Sequence, residues 1–393
     1  MSSFLEEPLN LSAADRFGYL PADIAQPLDG GRYTIVRKLG WGPRSSTWLA
    51  QEKFIPDATK PVYWAIQAFT VAKSREVEAT LLPLLQKEVS QAGRDIDFPN
   101  FRGSFSEKSV HGEHLCLVMS AYGLPFFEVV QAAVDSGRAG LPVHVVQKTT
   151  SVILETLEAL HAENVMHAGV KLENLKFWPS TYENDLQNHL AESPPPKTQI
   201  INGIPAVRSQ PLANYKVEWD EPMSDVSRWM ILLAGFGHGT CRDPLLHSKL
   251  TEIGLDYSSA PETLLGNPTC GLSTDIWMLG CLVFQLLTGK PLFTSAGTPA
   301  ERLAEIRDIL QDKIPDAWLR DTNVQALPNA TTSTESLEHR LKQTLTETEA
   351  SAAHSFLRKC LVLDPAGRAS ATELQDDGWV EEGAQCSCCY SDD

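Results

Sequence analysis

A glycine turn between two β-rich segments limits the folds that this chain can adopt. Residues 33–50 read YTIVRKLGWGPRSSTWLA: an alternating run, the turn Gly40-Trp41-Gly42, and a second run. A dinucleotide-binding turn needs a helix after its glycines to receive the pyrophosphate. Here Thr47-Trp48-Leu49 continues as β-rich sequence. The pattern therefore favours a strand–turn–strand flap over a nucleotide.

Further motifs follow this flap in a fixed order. They are Trp64-Ala65-Ile66-Gln67, a helical run with Glu78, the loop HAENVMHAGVKLENLKF from His161 to Phe177, Ala234-Gly235-Phe236-Gly237, Ala260-Pro261-Glu262, a long apolar run beginning near Asp275, and LVLDPAGRAS with Arg368. They align with V-A-I-K, H-x-D-x-K-x-x-N, D-F-G and A-P-E, in which glycines, a lysine and two aspartates handle ATP and magnesium. Over about 340 residues, the ordered set resembles the protein kinases.

A more specific resemblance is to the SR-protein kinases, which phosphorylate serines in arginine/serine-rich splicing factors. The segments that carry it are Arg37–Gly42 with Trp48-Leu49, His114–Met119, Ser273–Gly289 and the LLGNP run after A-P-E. That family also carries an insert between the catalytic loop and D-F-G. The corresponding insert here spans about residues 178–228, with AESPPPKTQ at its centre.

The resemblance implies an α+β bilobal protein-kinase fold, with a small antiparallel β lobe containing one main helix and a larger, mostly α-helical lobe. The expected organisation is a lead-in at 1–32, an N-lobe at 33–120, a C-lobe with the insert at 121–380, and a cysteine-containing tail at 381–393. For the lead-in the sequence leaves two alternatives open: packing on the small lobe through Phe17, Tyr19 and Leu20, or a flexible segment.

Three substitutions fall on the catalytic positions that the resemblance implies. Gln67 replaces the strand lysine, which would pair with Glu78; Gly169 replaces the catalytic aspartate; and Gly235 replaces the D-F-G aspartate. Lys171 and Asn174 of the catalytic loop are retained. A glutamine carries no charge, and a glycine can neither accept a proton nor bind magnesium, a cation that prefers anionic oxygen ligands. The pattern predicts lost or strongly impaired phosphotransfer.

The nucleotide and metal positions also depart from the family. ATP and magnesium are the cofactors that the resemblance implies. The positions that would contact a nucleotide are Leu39, Gly40, Trp41, Gly42, Thr47, Ala65, Met119, Ala121 and Lys176. Lys176 stands where a leucine normally forms the floor of the adenine pocket, and burying an unpaired lysine is costly. A one-residue shift of the loop would restore the pocket. Asn174 alone is an insufficient magnesium site.

Other retained residues indicate structure or compensation. Phe236, His167, Asp275 and Leu82 occupy positions of the internal spine of active kinases, and core packing is the interpretation that we prefer for them. Arg368 stands where the family's arginine pairs with the A-P-E glutamate, Glu262. Lys38 and Arg44 are the candidates for a substitute phosphate contact.

Charge and composition narrow the expected partners. With 33 basic and 50 acidic residues the net charge is −17, which disfavours direct nucleic-acid binding. This charge suits an arginine-rich peptide, but solubility alone also explains it and is the interpretation that we prefer. The start has no signal-peptide pattern, and the apolar stretch Met278–Leu287 is too short to span a bilayer. We expect an intracellular protein, cytoplasmic, nuclear or both, with reduced cysteines. For Cys386, Cys388 and Cys389, zinc binding is disfavoured and palmitoylation is a minor alternative.

The sequence thus predicts a pseudokinase that acts by protein binding, as a scaffold, a decoy for Arg/Ser-rich proteins, or a regulator of an active relative. One alternative is an active Ser/Thr kinase with a non-standard site. Another is a nucleotide-binding switch that works without magnesium.

Overall fold

The computed structural model describes residues 6–42, 44–53, 61–90, 101–178, 183–212, 217–235, 259–295, 297–329 and 335–384. The chain divides into two compact units. The first comprises Met1–Pro125 and Lys176–Lys216, and the second comprises Phe126–Leu175 and Val217–Asp393. The predicted insert, about 178–228, is therefore shared between the units, and most of it belongs to the first.

The first unit is built on a six-stranded antiparallel sheet with the order β1-β2-β3-β4-β6-β5. The strands are β1 (Pro27–Leu28), β2 (Tyr33–Gly42), β3 (Ser45–Glu52), β4 (Val62–Phe69), β5 (Phe101–Ser109) and β6 (Gly112–Met119). Helix α1 (Val71–Ser90) follows β4. This is the small antiparallel unit with one main helix that the sequence predicted.

The lead-in packs on this sheet, which is one of the two alternatives that the sequence left open. Tyr19 and Leu20 are each 1% exposed, and Phe17 packs against a cluster of Leu9, Tyr19 and Ala206. Since Ala206 belongs to the insert, the two segments share a core.

The part of the insert in the first unit has regular structure. It contains α4 (Glu183–Glu192) and an antiparallel hairpin of β8 (Thr198–Ile201) and β9 (Ile204–Val207). A short strand, β7 (Leu175–Phe177), precedes it. Val207 at the end of the hairpin is 1% exposed and lies in one hydrophobic cluster with Ile35, Trp48 and Ile66 of the sheet.

The second unit is mostly helical. Its elements are α2 (Phe126–Asp135), α3 (Val143–Ala162), α5 (Met223–Val226), β10 (Ile231–Leu233), α6 (Leu272–Thr288), α7 (Pro299–Leu310), α8 (Thr322–Gln325), α9 (Leu337–Lys342), α10 (Glu347–Cys360), α11 (Ala371–Gln375) and α12 (Gly378–Ala384). Helix α6 is the predicted apolar helix and begins three residues before Asp275. Gly289 ends it with φ of +70°, a conformation that glycine adopts without steric cost. Among the described helices, none has the length and apolarity needed to cross a membrane.

Two buried charge contacts organise this unit. Arg368 donates from Nη1 and Nη2 to the two carboxylate oxygens of Glu262, over 2.9 and 2.6 Å. Asp275 accepts from the backbone N–H groups of His167 and Ala168, both over 2.7 Å. The predicted pairing of Arg368 with Glu262 is confirmed.

The described cysteines differ in state. Cys116, Cys281 and Cys360 are free and buried, whereas Cys270 is disulfide-bonded. The expectation of reduced cysteines is thus wrong at Cys270. Cys386, Cys388 and Cys389 lie outside the described residues, as does Phe236.

Candidate active site

The lead-in contacts the glycine turn through Tyr19. Tyr19 Oη donates to the carbonyl oxygen of Gly42 over 2.7 Å. Its ring meets the Trp41 ring edge-on, with the centroids 6.2 Å apart. Trp41 remains 43% exposed. The end of β2 that would cover a nucleotide's phosphates is therefore tied to a segment outside the recognised motifs.

Gln67 makes a neutral contact where the family's lysine would stand. It lies on β4 directly opposite Thr47 of β3, and its Nε2 donates to Ser45 Oγ over 3.0 Å. Glu78, the predicted partner of a lysine, is exposed on α1. A glutamine held by the flap's own serine leaves no cation at this position.

The remaining predicted nucleotide contacts of the first unit lie around Ala65. Strand register places Ala65 between Leu49 of β3 and Met119 of β6. Ala65, Met119 and Ala121 are 0, 2 and 5% exposed. Leu39, Gly40, Gly42 and Thr47 are half-buried.

Lys176 lies in β7 between two buried neighbours, Leu175 and Phe177, and is half-buried. It forms an isolated β-bridge with Pro125. The alternation places Leu175 and Phe177 on one side of the strand and Lys176 on the other. Its contribution to an adenine pocket stays a prediction.

The predicted phosphate role of Lys38 is wrong. Lys38 lies opposite Trp48, on the face of the sheet away from Gln67, with no exposed side-chain surface. Its ammonium group pairs with Glu6 over 2.9 Å and with Glu7, and donates to the carbonyl of Val207 over 3.0 Å. Burial raises the pKa of Glu7 despite the lysine beside it. Arg44 is half-buried just after the glycine turn.

In the second unit, the Asn174 side chain fills the space that two aspartates would need. A Cβ atom added to Gly235 would lie 2.5 Å from Asn174 Nδ2, and one added to Gly169 would lie 2.9 Å from that atom. Asn174 Nδ2 donates to the carbonyl of Gly169 over 2.7 Å. Gly235 has φ of +90°, so any side chain there also meets backbone strain. The amide closes the place where carboxylates would act.

The rest of the loop is held by backbone contacts. Asn174 N donates to the carbonyl of Lys171 over 3.0 Å, and Ala234 N donates to the carbonyl of Asn174 over 2.7 Å. These bonds connect Asn174 with Lys171 and with Ala234, the neighbour of Gly235. Lys171 is half-buried.

His167 is a structural residue of this loop. It is 1% exposed, and burial lowers its pKa to about 4, opposed by the charge of Asp275 and a hydrogen bond with the Ala234 backbone. The imidazole is therefore neutral at physiological pH. This agrees with core packing, the interpretation that we prefer for His167 and Asp275.

The described residues do not fit a magnesium site. Asn174 is the only predicted metal ligand with a side-chain oxygen, and its amide is engaged with Gly169. Within the described part of the chain, no group of three or more His, Cys, Asp or Glu residues is placed to hold a metal ion. We therefore derive no reaction step through magnesium.

Several residues of the site were missed by motif matching. Ser45, Tyr19, Glu6 and Glu7 act through contacts that no motif spacing records. Leu186 and Leu190 of α4, which pack against the cluster that contains Ala65 and Ala121, had a weak signal in the sequence, since apolar residues four apart lie on one face of a helix.

Comparison with known proteins agrees with these motifs. A family model described as the protein kinase domain matches residues 228–380. The chain is 26% identical over 308 residues to the serine/threonine-protein kinase SRPK of Physarum polycephalum, covering 70% of this chain and 65% of that protein. It is 23% identical over 469 residues to the protein kinase dsk1 of Schizosaccharomyces pombe, covering 93% and 84%. It is 28% identical over 199 residues to human SRSF protein kinase 3, covering 48% and 34%.

A solved structure shares the fold. A crystal structure of a kinase domain superposes with a TM-score of 0.59 at 20% identity, covering 92% of this chain and 98% of that chain. The predicted protein-kinase fold is confirmed. The chain spans about a third of human SRSF protein kinase 3 and just under two thirds of the Physarum kinase.

Proposed function

Because this chain belongs to the protein kinase superfamily and is close to the SR-protein kinases, we propose that it is a pseudokinase that acts by binding proteins. The observation that carries the proposal is the Asn174 amide, which occupies the space beside both Gly169 and Gly235. Neither position offers a carboxylate, and the Asn174 side chain lies where a side chain at either position would begin.

The energetic argument supports a large loss of rate. Phosphoryl transfer in this fold depends on positioning and on electrostatic stabilisation of the transferring phosphate. Removal of one general base typically costs about 10²–10⁴ in rate. Gly169 lacks the base, Gly235 lacks the metal ligand, and Gln67 lacks the cation. These losses act on one transition state and need not add.

The preserved structure supports a binding role. Asp275 holds the catalytic loop through the backbone N–H groups of His167 and Ala168. Elsewhere in the second unit Arg368 pairs with Glu262. Both contacts are structural. A net charge of −17 favours association with cationic segments. Arginine/serine-rich proteins are the class of partner that we propose, with an active kinase relative as the alternative.

The test is phosphotransfer from labelled ATP to an arginine/serine-rich peptide, with magnesium present. We expect no incorporation above that of a protein-free control, together with measurable binding of the same peptide in the absence of ATP. Incorporation that is abolished by Asn174→Ala or Lys171→Ala would identify an active kinase with a non-standard site. A thermal shift with ATP that does not depend on magnesium, without incorporation, would instead identify a nucleotide switch.

A further inference from the structure

One face of the sheet in the first unit is the face that a nucleotide would contact. In kinases the strand lysine of V-A-I-K reaches the phosphates, and Gln67 stands at that position. Side chains alternate along a strand, and directly opposite residues share a face. Ala65 is two residues from Gln67 and lies opposite Leu49, while Thr47 lies opposite Gln67. Ala65, Leu49 and Thr47 therefore share this face, which we call the nucleotide-facing side.

Apolar residues of the insert pack on the nucleotide-facing side. Leu212 is 1% exposed and lies in one hydrophobic cluster with Leu49, Ala65 and Ala121. Leu186 and Leu190, one turn apart on α4, pack against the same cluster as Leu39 does. In contrast, Gln187 and Asn188 on the same helix are exposed. The helix thus presents its leucine face to residues that were predicted to contact a nucleotide.

The insert is anchored to the sheet on both sides of β2. Gln210 N donates to the carbonyl of Lys38 over 2.8 Å, and Gln210 Nε2 donates to the carbonyl of Pro194 over 3.1 Å. On the opposite face, Val207 is buried beside Trp48. Ser209 is fixed to Glu6 by its backbone N–H and its hydroxyl, each over 2.8 Å. Because the chain is held immediately before Leu212, this leucine is not at a loose end.

From these contacts we infer that α4 and Leu212 occupy the nucleotide-facing side as an internal substitute for an adenine base, so that nucleotide binding requires their displacement. The inference deepens the proposed function and rests on it for the assignment of the site. It concerns whether an adenine base can reach the nucleotide-facing side. This question is separate from the loss of the groups that would bind phosphate.

We call α4 and Leu212 together the cover. The cover also buries a cation. Arg37 lies opposite Leu49, is 5% exposed, and has its pKa lowered by burial. No acidic partner of Arg37 occurs among the described residues. On α4, burial lowers the pKa of His189, and the charge of Arg37 lowers it further. An unpaired buried charge opposes burial, so the cover is held by its leucines and weakened by Arg37.

Adenosine tests the inference, because it carries the base without any phosphate. The full chain is titrated with adenosine by calorimetry, as wild type, as Leu186→Ser with Leu190→Ser, and as the matched control Gln187→Ser with Asn188→Ser. We expect no saturable binding by wild type or control, and saturable binding by the leucine variant with an affinity at least about tenfold above the detection limit of the titration. Addition of Arg37→Met to the leucine variant should lower that affinity again and raise its melting temperature.

Two outcomes would overturn the inference: adenosine binding by wild type equal to that of the leucine variant, or no gain in the leucine variant. If the leucine variant fails to fold, hydrogen exchange of the backbone amides of the wild-type protein tests the inference instead. We expect α4 amides to be protected as strongly as those of β3, and rapid exchange of α4 beside a protected sheet would refute the cover. Adenosine binding by wild type without phosphotransfer sinks this inference alone, whereas phosphotransfer in the labelled ATP assay sinks the proposed function.

Discussion

The two faces of the sheet in the first unit differ at the positions of Lys38 and Gln67. On one face, Lys38 keeps its ammonium group buried between two carboxylates. On the other face, Gln67 stands where a catalytic lysine would be and donates to a neutral hydroxyl. A buried ion pair is retained where its removal would strand charges. A charged side chain that serves only catalysis can be lost without destabilising the folded state.

The second unit repeats this contrast within one region. Arg368 and Glu262 remain paired out of water, and Asp275 still accepts two backbone N–H groups. Gly169 and Gly235, which would carry the reactive carboxylates, contribute no side chain. The charges that persist are those that satisfy buried partners.

The largest expected effect comes from Lys38→Met. Loss of the ammonium group leaves Glu6 and Glu7 buried without their cation, and breaking a buried pair typically costs about 3–5 kcal/mol. Urea unfolding at neutral pH measures the loss, with Gln67→Met on the opposite face as the control at about 1 kcal/mol or less. Because burial raises the pKa of Glu7, this carboxyl is readily protonated on acidification, so the penalty should shrink as pH falls. Equal losses for the two variants would show that the Lys38 ammonium group does not hold the two carboxylates.

Acidification should destabilise the second unit through His167. Its pKa is about 4 in the folded chain, against 6.5 for an unperturbed imidazole. Between these values the unfolded chain binds more protons, so stability falls as pH drops below about 6.5, by up to about 3 kcal/mol near pH 4. Unfolding of wild type and His167→Gln is compared across this range.

The substitution His167→Gln should reduce the pH dependence of the free energy of unfolding without removing it. Burial also lowers the pKa of His114, His189 and His354, and these residues act in the same direction. A slope that is identical in wild type and variant would show that His167 is not the buried neutral group of this loop.

The sequence predicted this arrangement only in part, because success depended on how far apart along the chain the contacting residues lie. The motifs predicted the fold, the Arg368–Glu262 pair and the loss of charge at Gln67, because motif residues have fixed spacing. They misplaced Lys38, since the bulge and pairing of β2 decide which face a residue takes. Glu6 and Leu212 contact the sheet, and Ser209 contacts Glu6, across more than 30 residues of sequence. No local pattern encodes such contacts.

Gly235→Ala should cost more than Gly169→Ala. At Gly235 the new methyl meets the Asn174 amide at 2.5 Å on a backbone with φ of +90°, and strain of this kind costs about 1–3 kcal/mol. At Gly169 the nearest atom is the amide nitrogen at 2.9 Å, the movable end of a side chain, and we expect about 1 kcal/mol or less.

A double-mutant cycle separates crowding from backbone strain at Gly235. In an Asn174→Ala background the methyl no longer meets an amide, so only the cost of the positive φ should remain. Thermal unfolding of the four proteins gives the coupling. A coupling of zero would show that Asn174 does not occupy this space.

The smallest effect is expected at the Gln67–Ser45 contact. A neutral hydrogen bond contributes about 0.5–1.5 kcal/mol, and this one joins two half-buried side chains over 3.0 Å. Gln67→Met and Ser45→Ala, alone and together, should therefore couple by about 1 kcal/mol in urea unfolding. The same variants should leave binding of an arginine/serine-rich peptide unchanged, because they alter neither charge nor the second unit. A fall in peptide binding on Gln67→Met would mean that Gln67 has acquired a role in recognition.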